Sequence, residues 1–218
     1  MMDPFRICLA LGPLAIYLLG VSAINLRRRP TLLSGSSDTA GVGLAIIGLV
    51  IIGPMELFMP DAAAARFGPA AWLFMILLYT MILVLTLLAL RLRLVIYNIS
   101  HNELRVILGD VAERLDPEGA RWAGDSLSIP KLGIQLYLDT TAMFRNVSLV
   151  AGSPHQNPMG WKYLEKELRQ SLKTVQVHPN HRAIGLLAAG LILSVIVLTI
   201  IVINPAKLYA SAVQMFMI

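Results

Sequence analysis

Few side chains in this 218-residue chain have types and spacings that could do chemistry. Glu56 is the one acidic residue inside an otherwise apolar run. An ionisable group in lipid is a transport or proton-handling candidate by default. Pro60 and Asp61 follow closely, so the same carboxylate could instead sit at an interface and reach water. Trp122, Gly124 and Asp125 in RWAGD, with Arg145 and Asn146 in RNVS, form the densest group of binding-type residues. Against a site there stand ordinary roles: Gly124 and Asp125 as turn formers, Trp122 as core or interface, Arg145 as an exposed strand end. His155 lies in a loop bounded by Pro and Asn, and loops on rigid scaffolds carry binding residues.

Four histidines, His101, His155, His178 and His181, are the metal suspects. His178 and His181 are three apart, but Pro179 lies between them and no Cys or carboxylate is near. Cys8 is the single cysteine, which excludes an internal disulfide framework and a Cys-rich metal site. No Walker A loop, G-x-G-x-x-G, G-x-S-x-G or H-E-x-x-H occurs, so no reaction is indicated and no cofactor or metal is expected. Asn98-Ile99-Ser100 and Asn146-Val147-Ser148 match the glycosylation sequon, a tripeptide frequent by chance.

The elements that must position these residues are mostly apolar. Hydrophobic residues make up 56% of the chain and charged ones 14%, against about 25% charged in an ordinary soluble domain. Mean hydropathy is +0.70. Four runs suit membrane spans: about 7–24, 40–59, 70–90 and 183–203. The first could rival a cleaved signal peptide, but Arg27, Arg28 and Arg29 follow at once, as expected of a retained and anchored helix. Pro13 predicts a kink in it. Gly41, Gly43, Gly48 and Gly53 make the second run rich in small residues, which permits close backbone approach. Residues 30–39 read as a loop, and residues 207–218 as a short apolar tail that lies in an interface or packs on a partner.

The net charge of +5 sits at helix ends, in Arg27 to Arg29, Arg91 and Arg93. Residues 94–182 hold ten Lys/Arg and nine Asp/Glu, so a nucleic-acid partner is not expected. By the positive-inside rule the termini lie outside and residues 93–182 in the cytoplasm, in the style of a bacterial inner-membrane protein.

Residues 93–182 should form a small α+β domain. LVIYNI (94–99) reads as a strand. Ser100 and Glu103 have capping-box spacing ahead of a helix with Leu104, Ile107, Leu108, Val111 and Leu115 on one face. Strand-like runs follow at 120–129, 134–139 and 146–149, then a helix over 160–171 with Trp161, Leu164, Leu168 and Leu172 aligned, and a final strand at 174–177. The pattern predicts an antiparallel sheet with two helices, ferredoxin-like or similar, inserted among four transmembrane helices. Such a chain is expected to act as a structural or accessory membrane subunit whose domain binds a protein partner, in a hetero- or homo-oligomer. A small transporter or channel component using Glu56, and a membrane-bound enzyme or ligand sensor, are the alternatives.

Overall fold

The computed structural model describes residues 3–55, 66–141, 145–178 and 180–216. Among them the helices are α1 (Pro4–Leu26), α2 (Gly35–Val50), α3 (Pro69–Ala89), α4 (His101–Leu115), α5 (Pro158–Thr174), α6 (Ala183–Ile203) and α7 (Pro205–Phe216). The strands are β1 (Thr31–Ser34), β2 (Arg93–Tyr97), β3 (Arg121–Ala123), β4 (Ser126–Ile129), β5 (Ile134–Thr141) and β6 (Asn146–Ala151). The chain divides into two compact units. Met1–Val21, Thr39–Ala89 and Gly185–Ile218 make the first, Ser22–Asp38 and Leu90–Ile184 the second.

The first unit is helical. Four helices are long and apolar enough to cross a membrane: Pro4–Leu26, Gly35–Pro54, Ala70–Ala89 and Ala183–Ile203. Their apolar side chains face outward, with Ile16, Leu88 and Val202 about three-quarters exposed. What draws α1 and α2 together is small side chains. A Cβ added at Gly48 would lie 1.8 Å from the Leu9 carbonyl oxygen, so the two backbones touch where only glycine fits. Tyr79 Oη of α3 donates to the Gly43 carbonyl at 2.7 Å. The second run ends in a π-helical turn, Ile51–Met55, whose wide i→i+5 pattern accommodates Pro54. Glu56 lies outside the described residues. The C-terminal tail forms α7, with its polar Lys207 and Ser211 four apart.

The second unit is a six-stranded antiparallel sheet, in the order β1-β2-β6-β5-β4-β3. Register explains its core. Leu94 stands opposite Leu149, and Leu149 opposite Leu138, while Leu136 faces Leu127 and Ile134 faces Ile129. Alternation therefore puts every one of these on the same face. There they meet Leu104, Leu108 and Val111 of α4 and Trp161, Leu164, Leu168 and Leu172 of α5, all buried. At Gly160 an added Cβ would come within 2.3 Å of the Leu132 carbonyl oxygen, so this start of α5 sits directly on the turn before β5.

Several expectations need correction. Residues 30–39 are not a loop: Thr31–Ser34 pair with Leu94–Tyr97 as an edge strand, and α2 starts at once from Gly35. The sheet thus recruits chain from outside 93–182. No strand forms at 174–177, because α5 runs on to Thr174 and the Val177 amide donates instead to the Arg28 carbonyl at 3.0 Å. The run 120–129 is two strands, folded at Gly124-Asp125. A ferredoxin-like split β-α-β sets one strand between the two ends of its crossover. Here the meander β3-β4-β5-β6 puts three strands between β2 and β3, so that expectation does not hold.

Candidate functional site

The start of α4 gathers most of the polar side chains singled out in the sequence. Ser100 Oγ accepts from the Glu103 amide, and Glu103 Oε2 accepts from the Ser100 amide at 2.9 Å. This capping box satisfies helix-end amides that would otherwise lack partners. Around it hang two ionic groups.

The first group contains Trp122 and Asp125. Ala123 pairs with Ser126, so Gly124 and Asp125 form a two-residue hairpin whose first central residue has φ of 63°. Glycine is the residue for that position in a type II′ turn. The turn carries Asp125 to α4, where its Oδ1 lies 3.3 Å from Arg105 Nη1 and 3.2 Å from His101 Nε2. His101 and Arg105 are i and i+4, hence neighbours on one helix face. The Arg105 guanidinium also lies 4.9 Å from the centre of the Trp122 ring, a cation–π contact. Gly109, one turn further on, faces the same indole: a Cβ there would sit 3.8 Å from Nε1, an ordinary contact. Asp125 is 59% exposed, so these charges strap the hairpin to the helix weakly.

The second group contains Arg145, and it falls on the far side of the same helix start. Arg145 Nη2 pairs with Glu103 Oε2 at 3.1 Å, and Nη1 donates to the His178 carbonyl at 3.3 Å. Its own carbonyl accepts from the Ile99 amide at 2.8 Å. Arg145 and Asn98 both have positive φ, 51° and 60°. For non-glycine residues this left-handed region is disfavoured, and it persists where surrounding bonds hold it. Burial opposes ionisation of Glu103, but hydrogen bonds from Ser100 and the charge and hydrogen bond of Arg145 outweigh it, so its carboxyl sits below the ordinary range. Asn98 is fully buried and donates through Nδ2 to the Arg27 carbonyl, which leaves that sequon asparagine inaccessible.

The structure therefore separates what the sequence grouped. Trp122 and Asp125 belong together, with His101 and Arg105 as partners. Arg145 is a clamp among Glu103, Ile99 and His178. His155 joins neither: it is exposed in the loop before α5, whose neighbours Gln156 and Asn157 bond Trp161 and cap α5. Two features escaped sequence reasoning. Asp38, in the first turn of α2, accepts from Arg93 at 3.0 Å and from the Tyr97 hydroxyl, partners more than fifty residues away. The second is a surface cavity of about 830 Å³ between α4 and α5. Asp110, Glu113 and Glu167 line it, with Ile107 and Val175 as apolar floor. Among the described residues its one lining cation, Arg114, is already engaged by Ser171 Oγ at 2.8 Å and the Asp110 carbonyl at 3.2 Å. A helical face with period near four could have revealed the carboxylates, but not that a second helix completes the trough.

Compared with known protein families, with curated proteins and with solved structures, this chain matches none.

Proposed function

We propose that the chain is an integral membrane protein of four crossing helices whose α+β unit docks a protein partner on the cytoplasmic side, as an accessory subunit. The observation that carries the docking role is the acidic trough between α4 and α5. Among the described residues its carboxylates Asp110, Glu113 and Glu167 have a single, already committed cation beside them, so the charge complement is a basic, partly apolar segment of another protein. A second observation supports the orientation. β1, just after Arg27 to Arg29, pairs with β2, just after Arg91. Both arginine groups thus belong to one sheet-bearing unit, as a shared cytoplasmic side requires. Outward apolar side chains on the long helices suit lipid.

The test is native extraction of the full chain from its own membrane, followed by sizing and mass spectrometry. A stoichiometric partner with a basic contact segment is expected, and it should be lost from the Glu113→Lys/Glu167→Lys variant. A chain that runs alone, or a partner retained at full occupancy by that variant, would remove the trough from this role.

A further inference from the structure

The folded chain brings together two basic stretches that lie 150 residues apart in sequence. Arg27, Arg28 and Arg29 follow the last residue of α1, and His178, His181 and Arg182 precede the first residue of α6. Backbone bonds lock the two stretches side by side. The Val177 amide donates to the Arg28 carbonyl at 3.0 Å, and the Asn180 amide to the Asn25 carbonyl at 3.2 Å. Asn98 holds the Arg27 carbonyl, and Arg145 holds that of His178. With these carbonyls engaged, the side chains of all six basic residues remain exposed. Among the described residues, no carboxylate pairs with Arg27, Arg28 or Arg29. Two acidic groups of the same unit are committed elsewhere, Glu103 to Arg145 and Asp38 to Arg93.

We infer that this basic collar is a binding site for the phosphate of an anionic phospholipid headgroup. Its depth argues for lipid rather than a soluble anion. The arginines begin one residue beyond an apolar helix of 23 residues, and Arg182 ends one residue before an apolar helix of 21 residues. Such positions fall where headgroup phosphates lie. Guanidinium groups grip phosphate oxygens two at a time, which a zwitterionic headgroup with its own ammonium offsets. A collar held rigid by backbone bonds loses less freedom on binding than a flexible basic tail.

This inference rests on the proposed membrane location, so that reading is checked separately, by resistance of the full chain to alkaline carbonate extraction. Failure there sinks the location; failure below sinks only the lipid site. The full chain is placed in discs of phosphatidylcholine containing one-fifth phosphatidylglycerol, and retained lipid is counted by native mass spectrometry. Phosphatidylglycerol should be enriched over its share of the disc, and high salt should reduce the enrichment. Each arginine neutralised should weaken retention about fivefold, and R27Q/R28Q/R29Q about 100-fold, while R121Q on β3 changes nothing. If the triple variant does not insert, R28Q alone should still show its fivefold loss. No preference for phosphatidylglycerol, or equal retention by the Gln variants, overturns the proposal. So does displacement of the lipid by millimolar inorganic phosphate, which would name a soluble anion as the occupant.

Discussion

Leucine behaves in opposite ways in the two units of this chain. Leu136 in the second unit is fully buried, one of twenty residues in a continuous core between sheet and helices. Leu88 in the first unit is 77% exposed, and among the described residues the buried cluster there centres on Ile51. The same side chain is thus the cement of one unit and the surface of the other. The second unit is held by expelling water from apolar area. The first cannot be, since most of its apolar area stays uncovered. Its helices meet by close backbone approach at Gly48 and by the Tyr79–Gly43 hydroxyl–carbonyl bond, contacts that suit the membrane location proposed above.

The sharpest way to break this comparison is a pair of leucine truncations. Leu136→Ala should destabilise by about 2–5 kcal/mol through lost burial and a residual cavity. Leu85→Ala, at a position 56% exposed, should change stability by less than about 0.5 kcal/mol. Urea titration of the solubilised chain, followed through Trp161 for the first and helical signal for the second, reads both. Equal losses would mean that the outer face of α3 is covered by protein.

The next effect tests the first unit's own cement. Gly48→Ala puts a methyl where the Leu9 carbonyl oxygen stands, so α1 and α2 must separate, at about 1–3 kcal/mol of overpacking. Titration with a denaturing detergent should show earlier loss of helix; an unchanged midpoint would deny the contact.

The smallest effects lie at the start of α4. Ser100→Ala removes one half of the capping box, worth about 1 kcal/mol. Glu103 adds a pH dependence whose sign follows from its lowered folded-state pKa. The unfolded chain binds the proton more readily, so the contribution is fully present above the ordinary carboxylate range. It is lost as pH falls through the lowered value. Glu103→Gln should lower melting at neutral pH and leave it nearly unchanged in acid, so that this acid limb of the stability curve flattens. An acid limb of unaltered slope would assign the dependence to other carboxylates.

How legible was this in the sequence? Ser100 and Glu103 announced α4, and the alternation of Ile134, Leu136 and Leu138 announced β5, because capping and pleat act over a few residues. The long apolar helices were legible for the same reason, from composition within each run. β1 was not: TLLS is too short to show a period, and its strand geometry comes from β2, about sixty residues on. Nor was the division of RWAGD from RNVS. Both lie near α4 in space, but the hairpin at Gly124 delivers Asp125 to His101 and Arg105, whereas Arg145 reaches Glu103 on the other side.

By itself, then, the amino-acid sequence determined the local elements, the apolar runs and the uneven placement of charge. Each of these depends on neighbours within a turn or two. Only the tertiary structure decided which segments share a sheet, which carboxylates line one trough, and that Arg27 to Arg29 stand beside His178 to Arg182. Such pairings are selected by burial and hydrogen bonding between segments far apart in the chain, and no short-range pattern encodes them.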